Sequence, residues 1–126
     1  MARILIVDDD PDLVDACRLF LDKEGHVTAG AGSRSDGMKA IGEFKPDLLI
    51  LDVMMEQPDD GIAMAQELRR TGFEKPILML TSLANVTGMS YGRDNDLVPV
   101  DRFMEKPVEP KALVKAVAGL LTGKEA

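Results

Sequence analysis

The chain has 126 residues and carries 15 Lys plus Arg against 22 Asp plus Glu, a formal net charge of −7. That length suits one domain with a real core, and the acidic balance excludes a surface built for nucleic acid or anionic lipid, which would repel it. The single cysteine, Cys17, excludes a disulfide framework and a thiolate-rich zinc site. No apolar run is long enough for a signal-peptide core or a membrane span, so the expected location is cytoplasmic.

The first predicted element is a strand over Ile4–Val7, which runs out into Asp8-Asp9-Asp10. A helix follows, because Leu13, Ala16, Cys17, Phe20 and Leu21 recur at the spacing of one helix face. Asp10 is placed to cap it, Pro11 to open its first turn and Gly25 to stop it. The second strand, His26–Ala31, leads to a weaker helix over Ser35–Phe44 that rests on Met38 and Ile41 and is thinned by Gly37 and Gly42. The third strand, Leu48–Leu51, is followed at once by Asp52. A helix with Ile62, Ala65 and Leu68 on one face then ends at Arg69, Arg70 and Gly72. The fourth strand, Ile77–Leu80, exits into Thr81-Ser82. From Ala84 to Pro99 the apolar spacing is irregular, with Gly88, Gly92, two Asn and two Asp, which predicts fragmentary helix and loop. A weaker fifth strand around Val100–Met104 exits into Glu105-Lys106-Pro107. After Pro110, the residues Leu113, Ala116, Val117, Leu120 and Leu121 restore the helical spacing.

The third and fourth strands are almost continuously apolar, as strands covered on both faces are. Five strands alternating with about five helices predict a doubly wound α/β domain with a parallel sheet and helices on both faces. Such sheets bind ligands outside the carboxyl ends of their strands.

Four of the five strands end in acid, hydroxyl or amine directly after apolar residues, and the fold gathers those ends on one rim. Carboxylates crowded there repel one another, and their pKa values rise unless a cation joins them. Oxygen ligands without His or Cys suit a hard cation, Mg²⁺ before Ca²⁺, and Mg²⁺ in such a setting usually works on phosphate. A lysine and a hydroxyl opposite would bind phosphoryl oxygens, and a carboxylate at a buried strand end is fit to be a nucleophile that forms an acyl phosphate.

The segments Ile4-Leu5-Ile6-Val7-Asp8-Asp9, Leu48 to Met55 around Asp52, Leu78-Met79-Leu80-Thr81-Ser82 and Phe103-Met104-Glu105-Lys106-Pro107 resemble, in order, the receiver domain of two-component response regulators. The resemblance spans roughly 3–121 and implies one CheY-like receiver domain over 1–126, a flavodoxin-like sheet of order 2-1-3-4-5. It implies Asp52 as the phosphoacceptor, and Asp8 and Asp9 as the acidic pair that holds Mg²⁺ with Asp52, with Asp9 favoured over Asp8 as a direct ligand and the Met54 carbonyl a further one. It implies Lys106 as the lysine that pairs with the acceptor carboxylate, Thr81 as the switch hydroxyl and Phe103 as the switch aromatic. A cis Lys106–Pro107 bond is also common in the family. The implied partners are a sensor histidine kinase or phosphotransfer protein and an output protein or effector domain, with a homodimer compatible. Direct binding of nucleic acid or membrane by this domain is not expected. No turnover enzyme is implied, only self-catalysed phosphorylation and slow autodephosphorylation.

Taken singly, each residue has a structural reading. Asp8, Asp9 and Asp10 can be caps and first-turn acids, and Asp10 is read as one. Lys106 alone reads as a solvated lysine, Thr81 as a strand-end hydroxyl, Phe103 as core. Asp52, directly behind Leu48 to Leu51, resists such a reading because a buried carboxylate needs a site that stabilises it. His26 reads as a surface residue, Cys17 as inert, and the methionines as core filler. Three other functions fit less of the pattern. A haloacid-dehalogenase-type phosphatase would use Asp8-x-Asp10 with Thr81 and Lys106, but Pro11 follows Asp10. A receiver-like binding module would no longer be phosphorylated. A flavodoxin-like FMN binder would need hydroxyls where the acids stand.

Two regions depart from the family. The turn Glu56-Gln57-Pro58-Asp59-Asp60-Gly61 looks one residue long, with Glu56 adding negative charge near the metal. The interval of 25 positions from Thr81 to Lys106 is also longer than the family pattern, and the extra residues fall in the irregular segment, on the switching surface that in the family runs over the fourth helix, fifth strand and fifth helix. Ser82 keeps a small residue beside the site. The chain stops shortly after its last predicted helix, as a stand-alone relay or a piece of a longer regulator would.

Overall fold

The computed structural model describes residues 2–53, 60–82 and 100–122. In chain order the elements are β1 (Arg3–Val7), α1 (Pro11–Lys23), β2 (Val27–Ala31), α2 (Arg34–Phe44), β3 (Leu48–Asp52), α3 (Asp60–Arg70), β4 (Ile77–Ser82), β5 (Arg102–Lys106) and α4 (Pro110–Thr122). The five strands form one parallel sheet in the order β2-β1-β3-β4-β5. This is the doubly wound architecture that the alternating pattern predicts.

Alternation along the strands builds two cores. Ile4 and Ile6 of β1, Leu48 and Ile50 of β3, and Leu78 and Leu80 of β4 turn to one face, where α1 and α4 cover them with Cys17, Leu21, Leu113 and Val117. Leu5, Val7, Leu49, Leu51, Ile77 and Met79 turn to the other, under Met64, Ala65 and Leu68 of α3 and the half-buried Met38 and Ile41 of α2. All five residues of β3 are buried, so the central strand is apolar on both sides.

Local chemistry sets the element ends. The Asp10 carboxylate accepts from the Asp12 and Leu13 amides at the start of α1, and Pro11 occupies the first turn. Gly25 and Gly72 follow α1 and α3 with φ of +90° and +101°, a region that favours glycine. Gly37, which the sequence presents as a weakness of α2, sits in a tightly packed contact with β1 and α3. A Cβ there would lie 3.0 Å from both Met64 Cε and Val7 Cγ1.

Several expectations need correction. On α1 the buried residues are Val14, Cys17 and Leu21, while Leu13 and Phe20 pack on the same core but are only partly covered, so the buried stripe takes in Val14, which the predicted one omits. β5 begins at Arg102, two residues after Val100, and runs through Lys106. Asp101 explains the late start. Its amide donates to Ile77 O at 3.0 Å, and its carboxylate accepts from the Ile77 amide at 2.8 Å and pairs with Arg69 at 2.9 Å. β3 and β4 also run further than their apolar stretches, taking in Asp52, Thr81 and Ser82. His26 is half-buried, not a surface residue, and its Nδ1 accepts from the Ala2 amide at 3.1 Å. The turn from Met54 to Asp59, including Glu56, and the predicted irregular segment Ala84–Pro99 lie outside the described residues. Four helices are therefore seen among the described residues, and none is long and apolar enough to cross a membrane.

Candidate functional site

Parallel register brings the carboxyl ends of β1, β3, β4 and β5 to one rim. Val7 lies level with Leu51, Asp52 with Leu80, Thr81 with Glu105, and Ser82 with Lys106. The residue that leaves β1 and the last residues of β3 and β5 therefore meet, although they are 44 and 54 positions apart in the chain.

Lys106 is the centre of the arrangement. Its Nζ lies 2.8 Å from Asp8 Oδ2 and 3.0 Å from Asp52 Oδ1. Asp8 and Asp52 are 1% and 3% exposed, so two carboxylates are held in the interior by one ammonium. Burial raises the Asp52 carboxyl to about 6, with the Asp8 charge adding to the rise and the hydrogen bond from Lys106 opposing it. Burial likewise raises Asp8, against the pull of Lys106 and the Asp10 amide. For Lys106, burial acts to lower the pKa, but its bonds to Asp8 and Asp52 outweigh that and raise it. Thr81 is buried on β4, one residue beyond Leu80, the neighbour of Asp52. Phe103 is half-buried, level with Met79 and packed on the α2–α3 side core. Lys106–Pro107 is cis. Met54 lies outside the described residues.

One carboxylate oxygen from each of Asp8, Asp9 and Asp52 lies within 4.8 Å of the others. Asp8 Oδ2 is buried, and the partner it has is the Lys106 ammonium at 2.8 Å. Three carboxylates so close together, with one ammonium between two of them, form an all-oxygen donor set that carries net negative charge and fits a hard divalent cation. Asp9 is exposed and Asp8 is not, so the acidic pair offers one buried and one open oxygen donor. Asp10 is not part of the set. Its carboxylate is used in capping α1, while its amide donates to Asp8 Oδ1 at 2.9 Å.

Sequence reasoning missed two features here. It paired Lys106 with Asp52 alone, because a lysine's reach to a second acid depends on sheet order. It also left Gly61 in a turn, whereas Gly61 sits in the first turn of α3, donating to Val53 O at 2.8 Å. The only hint was a glycine just behind an acid at a helix start. Cys17, read as inert, is buried, and burial pushes its thiol up to about 11.

The chain has clear relatives. It is 36% identical over 123 residues to the DNA-binding response regulator MtrA of Mycolicibacterium smegmatis, covering 98% of this chain and 52% of that protein. It is 34% identical over 125 residues to the transcriptional regulatory protein AfsQ1 of Streptomyces coelicolor, covering 96% and 52%. The chain thus spans about half the length of the curated relatives it matches. Among solved structures, the receiver domain of NtrX from Brucella abortus superposes with a TM-score of 0.82 at 28% identity, covering 94% of this chain and 98% of that one. A response regulator from Chloroflexus aurantiacus gives 0.82 at 29%, covering 96% and 98%. The profile of the response regulator receiver domain matches residues 4–118. With that match running through all five strands and the rim they build, the chain belongs to the response regulator receiver domain family.

Proposed function

We propose that this domain takes a phosphoryl group from a phosphohistidine onto Asp52 in a Mg²⁺-dependent reaction and thereby changes its partner-binding surface. The observation that supports this best is the Lys106 ammonium held between Asp8 and Asp52 at 2.8 and 3.0 Å beside the three-carboxylate cluster. Asp52 titrates near 6, so at neutral pH most of it is the carboxylate a nucleophile must be.

In this reading a carboxylate oxygen of Asp52 attacks phosphorus in line. The O–P bond forms as the N–P bond to the donor imidazole breaks, and the imidazole leaves with the electron pair and takes a proton from solvent. Asp8, Asp9 and Asp52, with the Met54 carbonyl, would hold Mg²⁺, which when bound supplies positive charge against the incoming phosphoryl oxygens. Lys106 stays with the acceptor and then binds a phosphoryl oxygen, and the Thr81 hydroxyl binds another. Drawing Thr81 toward the phosphoryl group would open room for Phe103 to turn inward, a shift between two packings biased by the new contacts. Water later hydrolyses the acyl phosphate and returns Asp52, so the domain catalyses only its own modification.

The partners we assign are a sensor histidine kinase or phosphotransfer protein as donor, and an output domain or protein as recipient of the switch. The DNA-binding relatives suggest an output that acts on DNA, which this acidic domain would not itself contact. A phosphatase using Asp8-x-Asp10 is disfavoured because Asp10 caps α1.

The test is labelling by a small phosphodonor such as acetyl phosphate with Mg²⁺. Wild type is expected to label and chelation of the metal to abolish it, while Asp52→Ala is expected to fold and remain unlabelled. Full labelling of a folded Asp52→Ala would refute the assignment.

A further inference from the structure

We infer that Gly61 is a positioning residue for Asp52, and that α3 sets the acceptor carboxylate by pressing its first turn onto the backbone of β3. This rests on the reading of Asp52 as phosphoacceptor. A Cβ built on Gly61 would overlap the Asp52 carbonyl oxygen and lie 2.8 Å from both Asp52 C and Val53 Cα. All three atoms are backbone, so no side-chain rotation relieves the overlap. Either α3 lifts or the end of β3 moves.

The end of β3 has little freedom to move. Val53 N donates to Leu80 O at 3.0 Å, Val53 O accepts from the Gly61 amide at 2.8 Å, and Asp52 Oδ1 is 3.0 Å from Lys106 Nζ. Gly61 is thus tied by a hydrogen bond to the carbonyl of Val53, the residue after Asp52, while its Cα lies against the Asp52–Val53 peptide, and only a residue without a side chain can approach so closely. No positive φ is involved, so the requirement is for space and not for an unusual backbone conformation. At Gly30 and Gly37, by contrast, the atoms closest to an added Cβ are side-chain atoms.

Gly61→Ala is expected to slow labelling of Asp52 by acetyl phosphate with saturating Mg²⁺ by about 100-fold, the size of loss that a misplacement of roughly 1 Å causes. The comparison is Leu120→Ala, which is destabilised on α4 at the pole opposite the rim, assayed where both variants are folded. Leu120→Ala is expected to label at the wild-type rate. Equal rates for Gly61→Ala and Leu120→Ala overturn the proposal. Wild-type protein supplies a second measurement that needs no variant to fold. On titration with Mg²⁺ the Gly61 amide resonance is expected to move together with that of Asp52, while Gly42 stays. A Gly61 amide that stays while Asp52 moves overturns the proposal. Failure of wild type to label, or of Asp52 itself to respond, would instead sink the phosphoacceptor reading.

Discussion

At the scale of single residues, the rim holds negative charge that folding makes harder to keep. The folded-state carboxyls of Asp8 and Asp52 bind protons more tightly than ordinary carboxyls do, so the fold without a cation is favoured by protonation. Asp52 therefore leaves the fold unpenalised below about pH 4 and weakens it as pH rises from there through about 6. Asp52→Asn removes that penalty. In a chelator, its stability advantage over wild type is expected to grow from near zero at pH 4 to on the order of 2–3 kcal/mol at pH 7. Urea unfolding at a series of pH values measures it, and an advantage that shrinks as pH rises would contradict the burial argument. Mg²⁺ is expected to stabilise wild type more than Asp52→Asn, because a ligand adds stability in proportion to its preference for the folded state.

At the scale of elements, helix ends and interiors are separable from the rim. Asp10 accepts from the Asp12 and Leu13 amides, so Asp10→Ala is expected to lower stability by about 1 kcal/mol while leaving labelling of Asp52 at the wild-type rate. Gly42 lies in α2 with nothing within 4 Å of where a methyl group would sit, so Gly42→Ala is expected to stabilise by about 0.5–1 kcal/mol. Denaturant midpoints check both. Gly37→Ala in the same helix should go the other way, because its methyl meets Met64 and Val7 at 3.0 Å. The sequence marks both glycines of α2 as equally unfavourable; only the packing of α2 against β1 and α3 tells them apart.

At the scale of the whole molecule, the sheet is closed on both faces at its centre and open at its edge. Leu49 and Ile50 point to opposite cores and both are fully buried. Each truncation to alanine is expected to lower stability by about 2–5 kcal/mol, whereas Val27→Ala on the edge strand, 38% exposed, should lower it by less than about 1 kcal/mol. A central strand with one tolerant face would show up as a large gap between Leu49→Ala and Ile50→Ala in denaturant unfolding.

Much of this was already written in the order of residues. Apolar runs such as Leu48–Leu51 specify strands because their side chains have nowhere else to go, and Asp10, Pro11 and Gly25 bound α1 through contacts a few residues long. The succession of strand and helix, and the acid, hydroxyl or amine behind four of the five strands, likewise depend on neighbours in the chain. What tertiary structure decided depends on distance through space: that Lys106 reaches Asp8 as well as Asp52, that Asp8 is enclosed while Asp9 is open, that β5 starts only after Asp101 has gripped Ile77, and that Gly61 must be bare because it lies against the peptide of Asp52. Those facts follow from sheet order, register and helix docking, which bring together groups dozens of residues apart, and no local pattern encodes the few tenths of an ångström on which they turn.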